Sequence, residues 1–110
     1  MDNEMIETAM AIIMAAGDAR LACTDALNAI AEFDYETAES KMKEASKKIA
    51  QAHHLQTEAI QGEIQGKSME HNLLFAHAQD TLMTIYSEIN LSKQLLKIAK
   101  SFDDKLSNKK

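Results

Sequence analysis

At 110 residues the chain has room for one domain with a modest core, and its formal net charge of −5 leaves no clustered cations of the kind that nucleic acid or an anionic membrane surface requires. Hydrophobic residues make up 45 % but aromatics only 5 %, with no Trp, so Ala, Ile, Leu and Met must fill the interior, which suits closely packed helices. Proline is absent and glycine occurs three times, which favours a few long uninterrupted segments, and the lone Cys23 of "ARLACTDAL" cannot close an internal disulfide. That cysteine reads as a small buried hydrophobe in a reducing cytoplasm. The longest apolar run, "AMAIIMAA", falls far short of the ~20 residues that span a bilayer. The acidic start "MDNE" is also unlike a secretory signal. A cytoplasmic location without membrane insertion is expected.

The first helix is read over about residues 3 to 31, where Ile6, Ala9, Ile13, Ala16, Ala19 or Arg20, Cys23, Leu27 and Ile30 recur at steps of three and four. Gly17 interrupts it at ~1 kcal/mol relative to Ala, a cost that close approach of a neighbouring backbone would explain. Asp34 opens the second helix, where its carboxylate can accept from a free amide of the first turn. Tyr35, Ala38, Met42, Ala45, Ile49, Ala52, Gln56 and Ala59 then follow in heptad rhythm, and Gly66 is the expected stop.

The third helix is expected from Ser68 or Asn72 to about Ser101, and it carries two stripes. Phe75, Ala78, Leu82, Ile85, Ile89, Leu96 and Ala99 suit the interior of the chain. A second stripe about 120° round the axis holds Leu73, His77, Asp80, Thr84, Ser87 or Glu88, Leu91 and Leu95, apolar at its ends and polar in its middle. The connections "EFD" and "GKS" allow only antiparallel turns, so the fold class is all-α: three helices, up, down, up, each ~45 Å long. Three helices leave the second stripe uncovered, which predicts self-association of copies of helix three. Residues 1 to 102 form the single domain, and 103 to 110 are expected to be a frayed tail.

His77 and Asp80 lie three residues apart on that second stripe, on a face shared with Thr81 and Thr84. A histidine at the edge of an apolar face is commonly inert. A neutral imidazole is also a nucleophile, and neighbouring hydroxyls could hold a transferred phosphoryl group, so the pattern permits phosphoryl transfer without demanding it. If three copies meet at Asp80 with carboxylates about 5 Å apart, each pair repels by ~3 kcal/mol at an effective dielectric of 20, ~10 kcal/mol in all. Protons or a cation must offset that, and an all-oxygen shell suits Mg²⁺. His53 and His54 are adjacent and point to different faces, of which one approaches the seam of helix two. His71 suits the start of helix three, and the seven Met residues read as packing.

The stretch "LLFAHAQDTLM", over residues 73–83, resembles the signature of the lactose/cellobiose/chitobiose class of enzyme IIA proteins of the bacterial phosphotransferase sugar-uptake system. "IIMAAGDARLACTDALNAI" is similar to the family's first helix, and "FDYETAESKMKEA" and "AHHLQTEAIQGEIQG" to its second. The resemblance implies a homotrimer of three-helix chains. It implies that His77 accepts a phosphoryl group, on the tele nitrogen, from the histidine-containing phosphocarrier protein. His77 would then pass it to the cysteine of enzyme IIB, for uptake of a β-linked disaccharide. It also implies that Asp80 sits on the trimer axis with one Mg²⁺ per trimer at the three carboxylates. Thr81 stands where the family commonly has a second histidine. Two other readings stay open on the residues alone: a two-component histidine-phosphotransfer domain, although an acid follows His77 where those domains usually carry a lysine, and a purely structural trimeric helical adaptor.

Overall fold

In the computed structural model, residues 3–64 and 73–108 are described, and they form three helices: α1 (Asn3–Ala31), α2 (Tyr35–Ile64) and α3 (Leu73–Asn108). They lie side by side in a rod of 65 × 19 × 18 Å. The expected stop at Gly66 and the start of α3 at Ser68 or Asn72 lie outside the described residues. No helix among the described residues is long and apolar enough to cross a membrane.

Alanine sets the spacing of the bundle. Ala9, Ala16, Ala19, Ala26, Ala38, Ala45, Ala52 and Ala78 are fully buried, and Ile12, Leu82, Ile85 and Ile89 supply the bulk between them. Small residues at the contacts let helix axes approach, and the branched residues fill what remains. α1 packs against both other helices, whereas α2 and α3 meet only loosely. That is why α1 buries Ile12, Ala15, Ala22 and Ala29 beyond the single face its spacing predicts: it serves two neighbours. The heptad positions of α2 are covered as expected, fully from Ala38 to Ala52 and partly at Tyr35, Gln56 and Ala59.

The turn between α1 and α2 is closed by backbone bonds. The amide of Phe33 donates to the carbonyl of Ile30 (3.0 Å) and the amide of Asp34 to that of Ala29 (2.9 Å), the pairing of a Schellman cap. The cap needs a left-handed residue, and Phe33 supplies it at φ 62° although it has a Cβ. Asp34 then caps α2 as predicted, its Oδ1 accepting from the amide of Thr37 at 3.2 Å. At the far end of α2's partner, the Tyr35 hydroxyl reaches the carbonyl of Ala99 (3.5 Å) and Lys100 pairs with Glu39, which fixes the level of α3 against α2.

Two expectations are corrected. A Cβ on Gly17 would meet nothing within 4 Å, so no neighbouring backbone approaches it within the chain; it lies on the exposed side of α1. The expected frayed tail from residue 103 is helical as far as Asn108. Neither Gly nor Pro interrupts α3, and Lys105 lies where a cation complements the negative end of the helix dipole.

Phe33 is largely exposed, so Phe33→Gly loses little burial while relieving the left-handed strain. A gain of ~0.5–1 kcal/mol is expected from urea unfolding, strain relief of ~1–2 kcal/mol less the greater freedom of glycine in the unfolded chain. Asp34 titrates below its ordinary value because of its bond from Thr37, and Glu39 does so because Lys100 bonds it. Groups depressed on folding stabilise fully above their unfolded values, near ~4, and that stability is lost as pH falls through the lower folded values. Asp34→Asn with Glu39→Gln should therefore flatten the acid limb of a stability-versus-pH curve and leave the neutral-to-basic limb in place.

Candidate functional site

α3 turns Phe75, Ala78, Leu82, Ile85, Ile89, Ser92 and Leu96 into the chain. Ser92 fills the gap the apolar pattern leaves between Ile89 and Leu96. Its hydroxyl donates to the carbonyl of Glu88 (2.8 Å) and accepts from the Cys23 thiol (3.1 Å), so both buried polar atoms are satisfied and α1 is tied to α3. Cys23 is buried, as its surroundings in the sequence suggest.

The opposite stripe of α3 is open. Leu73 is 78 % exposed and Leu91 63 %, and between them His77, Asp80 and Thr84 all face outward. The stripe runs on as Leu95, Ile98, Phe102 and Leu106, all exposed. Glu88 is drawn out of it: Arg20 of α1 donates to both Glu88 carboxylate oxygens, at 2.9 and 3.0 Å, and this contact holds the Arg20 pKa above its ordinary value. Ser87, not Glu88, therefore continues the stripe.

The His77 ring is exposed and has no hydrogen bond, ion pair or ring contact among the described residues. Thr81 does not reach out toward it. Its hydroxyl donates to the His77 carbonyl at 2.8 Å, so the proton that could meet a phosphoryl oxygen is bound to the helix backbone. Thr84, two turns beyond His77, keeps an exposed hydroxyl with no internal partner among the described residues. Asp80 is exposed and likewise without one among the described residues. No cluster of three His, Cys, Asp or Glu able to hold a metal occurs among the described residues of one chain. Asp80 thus offers one carboxylate, and an ion held there needs others from further copies.

The remaining histidines are placed elsewhere. The His54 Nε2 lies 2.7 Å from Glu58 Oε1 along α2. His53 stands beside the Tyr86 ring, centroid to centroid 6.5 Å, at the edge of the seam between α2 and α3. His71 is outside the described residues.

A second open stripe lies on α1, whose methionines the sequence pattern assigns to packing. On α1, Met10, Met14, Gly17 and Leu21 recur at steps of four, three and four, and all are exposed, Met14 by 67 % and Leu21 by 63 %. The expectation that the methionines serve packing holds for Met42 and Met5 but not for Met10, Met14 or Met83 within the single chain. The Arg20–Glu88 and Cys23–Ser92 contacts, 68 and 69 residues apart, place the parallel helices in register. At that offset His77 stands level with residues 8 and 9 of α1, one turn or less from Met10 (77 − 68 = 9; 77 − 69 = 8).

Comparison with known proteins decides the chemistry. The family model described as "PTS system, Lactose/Cellobiose specific IIA subunit" matches residues 7–100. The chain belongs to this family. The lichenan-specific phosphotransferase enzyme IIA component of Bacillus subtilis (strain 168) is 34 % identical over 98 residues, 89 % of each chain. The crystal structure of the cellobiose-specific enzyme IIA from Bacillus anthracis superposes with a TM-score of 0.88, at 30 % identity and covering 96 % of both chains. The IIA(chitobiose) subunit solved in solution in complex with HPr, from the N,N'-diacetylchitobiose branch of the Escherichia coli system, gives 0.78 at 26 % identity, covering 93 % of this chain and 99 % of that one. A IIA subunit is a phosphotransferase component of a sugar uptake system, so phosphoryl transfer is the reaction of this family. This sets aside the two-component and adaptor readings.

Proposed function

We propose that His77 is the phosphoryl acceptor of this IIA subunit, that it is charged by the histidine-containing phosphocarrier protein, and that it discharges to the cysteine of enzyme IIB in the cytoplasm during uptake of a β-linked disaccharide. One observation carries the assignment. Among the described residues His77 alone of the histidines presents an exposed ring with no partner, whereas His54 is engaged by Glu58 and His53 stands against Tyr86. The complex of the E. coli IIA(chitobiose) relative with HPr supports the donor.

In the proposed reaction the unprotonated Nε2 of His77 attacks phosphorus in line as the donor N–P bond breaks, and the donor imidazole leaves with the electron pair of that bond. The reverse arrangement serves the second step, in which a thiolate of enzyme IIB attacks and His77 leaves. Charge in the loose transition state is spread over three equatorial oxygens, so the task of the protein is positioning and electrostatic stabilisation. Thr81 holds the backbone under His77, while the Thr84 hydroxyl, two turns or ~10 Å further along α3, lies out of reach of a phosphoryl group on His77 of the same chain.

The proposed assembly is a homotrimer about the outer stripe of α3, with Asp80 of each copy at the axis. Exposed Leu73, Leu91 and Leu95 would be buried by it, and the outer stripe of α1 extends the apolar area beside them. Three gathered Asp80 carboxylates fit one Mg²⁺, whose chemistry there would be to neutralise their mutual repulsion. His77, one turn away, would stay open to docking partners.

Two experiments test this reading. Incubation with phosphoenolpyruvate, enzyme I and the phosphocarrier should label the wild-type protein, and His77→Ala should fall to background while Thr81→Val stays near wild type; label persisting in His77→Ala would defeat the acceptor assignment. Thermal unfolding in Mg²⁺ against chelator should show a lower melting temperature for wild type when the ion is removed, and no such difference for Asp80→Leu. A wild-type protein indifferent to chelator would exclude the metal.

A further inference from the structure

α2 and α3 do not close on each other along their whole length. Between them lies a cleft of about 300 Å³, floored by the buried side chains of Ile49, Leu82 and Ile89. Its rim is polar and comes from both helices: Ser46 and His53 from α2, Tyr86 and Lys93 from α3. No carboxylate lines it, although acids outnumber bases in the chain by 17 to 12. Lys93 makes no ion pair among the described residues, unlike Lys100 further along, which Glu39 holds. The only formal charge on the rim, apart from a protonated His53, is thus an uncompensated cation.

The cleft is separate from the phosphoryl acceptor. Tyr86 lies nine residues beyond His77, ~14 Å along α3 and half a turn round it at ~100° per residue, and Lys93 lies ~24 Å along. The cleft therefore opens on the side of α3 opposite His77 and Asp80, away from the stripe assigned to assembly.

We infer that this cleft binds a small phosphomonoester whose carbon body has an apolar face and is about the size of a hexose phosphate. The volume sits at the small end of ligand sites, enough for one sugar ring and its ester. Lys93 supplies the charge that a phosphate dianion needs, and the hydroxyls of Ser46 and Tyr86 and the His53 ring supply donors around it. The apolar floor and the face of Tyr86 suit the C–H face of a pyranose, which a bare inorganic anion does not have. A peptide or protein partner would need a longer groove than eight residues of rim and floor provide.

The test is a titration of the intact, assembled protein followed by backbone ¹H–¹⁵N spectra, with glucose 6-phosphate, glucose and inorganic phosphate as separate probes. Glucose 6-phosphate should give saturable shifts confined to Ser46–His53 and Leu82–Lys93, glucose none, and inorganic phosphate binding at least about tenfold weaker. Lys93→Gln and Tyr86→Ala should each weaken glucose 6-phosphate by about tenfold or more with the remaining spectrum unchanged, which separates lost binding from lost fold. Equal affinity for inorganic phosphate would reduce the cleft to a counter-ion site and overturn the inference. So would the absence of saturable shifts, or cleft amides already protected by a second copy of the chain. No phosphoryl transfer is measured, so failure here leaves the role of His77 standing.

Discussion

α3 carries side chains that need covering on two faces, and a three-helix chain covers one. The face toward α1 and α2 is closed by Phe75, Leu82, Ile85 and Ile89. The other keeps Leu73, Leu91, Phe102 and Leu106 in solvent, with a histidine and an aspartate set among them. Apolar area of that extent is costly to hydrate. A polar pair at its centre makes sense when those groups are put to use, His77 toward partners and Asp80 toward its own copies. The proposed assembly and the proposed phosphoryl acceptor both draw on this face.

The rest of the chain holds that face in place. An alanine-rich seam keeps the helices close, and the Arg20–Glu88 and Cys23–Ser92 contacts fix α1 and α3 in parallel register. The ion pair is half exposed and contributes little stability. Its structural effect is to remove Glu88 from the outer stripe. The Cys23–Ser92 bond is buried: without Ser92 the Cys23 thiol would lose its acceptor in the core, whereas the Ser92 hydroxyl also has the Glu88 carbonyl. Thr81 illustrates a similar division, since its hydroxyl spends its proton on the backbone below His77 and leaves the ring to the solvent side.

Much of this was legible in the residues. Heptad spacing located α2 and the inner face of α3, the cap at Asp34 gave the start of α2, and "LLFAHAQDTLM" pointed to the IIA family and singled out His77, which stands exposed. Other features were not legible, for physical reasons. α1 has two neighbours, so its buried arc is wider than one face, and a pattern search for one face missed Ile12, Ala15, Ala22 and Ala29. Gly17 invited a close-packing explanation because glycine costs helix stability, yet the space around it in the chain is open. Ser92 is not apolar and so falls outside an apolar pattern, and its partner Cys23 is far away in sequence. The helix beyond Ser101 lacked periodic burial, and backbone bonding without a stop residue carried it to Asn108.

Small-angle X-ray scattering of the wild-type protein in Mg²⁺ tests the central claim most directly, because the uncovered face of α3 demands company. The account predicts a forward-scattering mass of three chains. A particle of one chain, with a radius of gyration close to the 17.7 Å of the single rod, would contradict it.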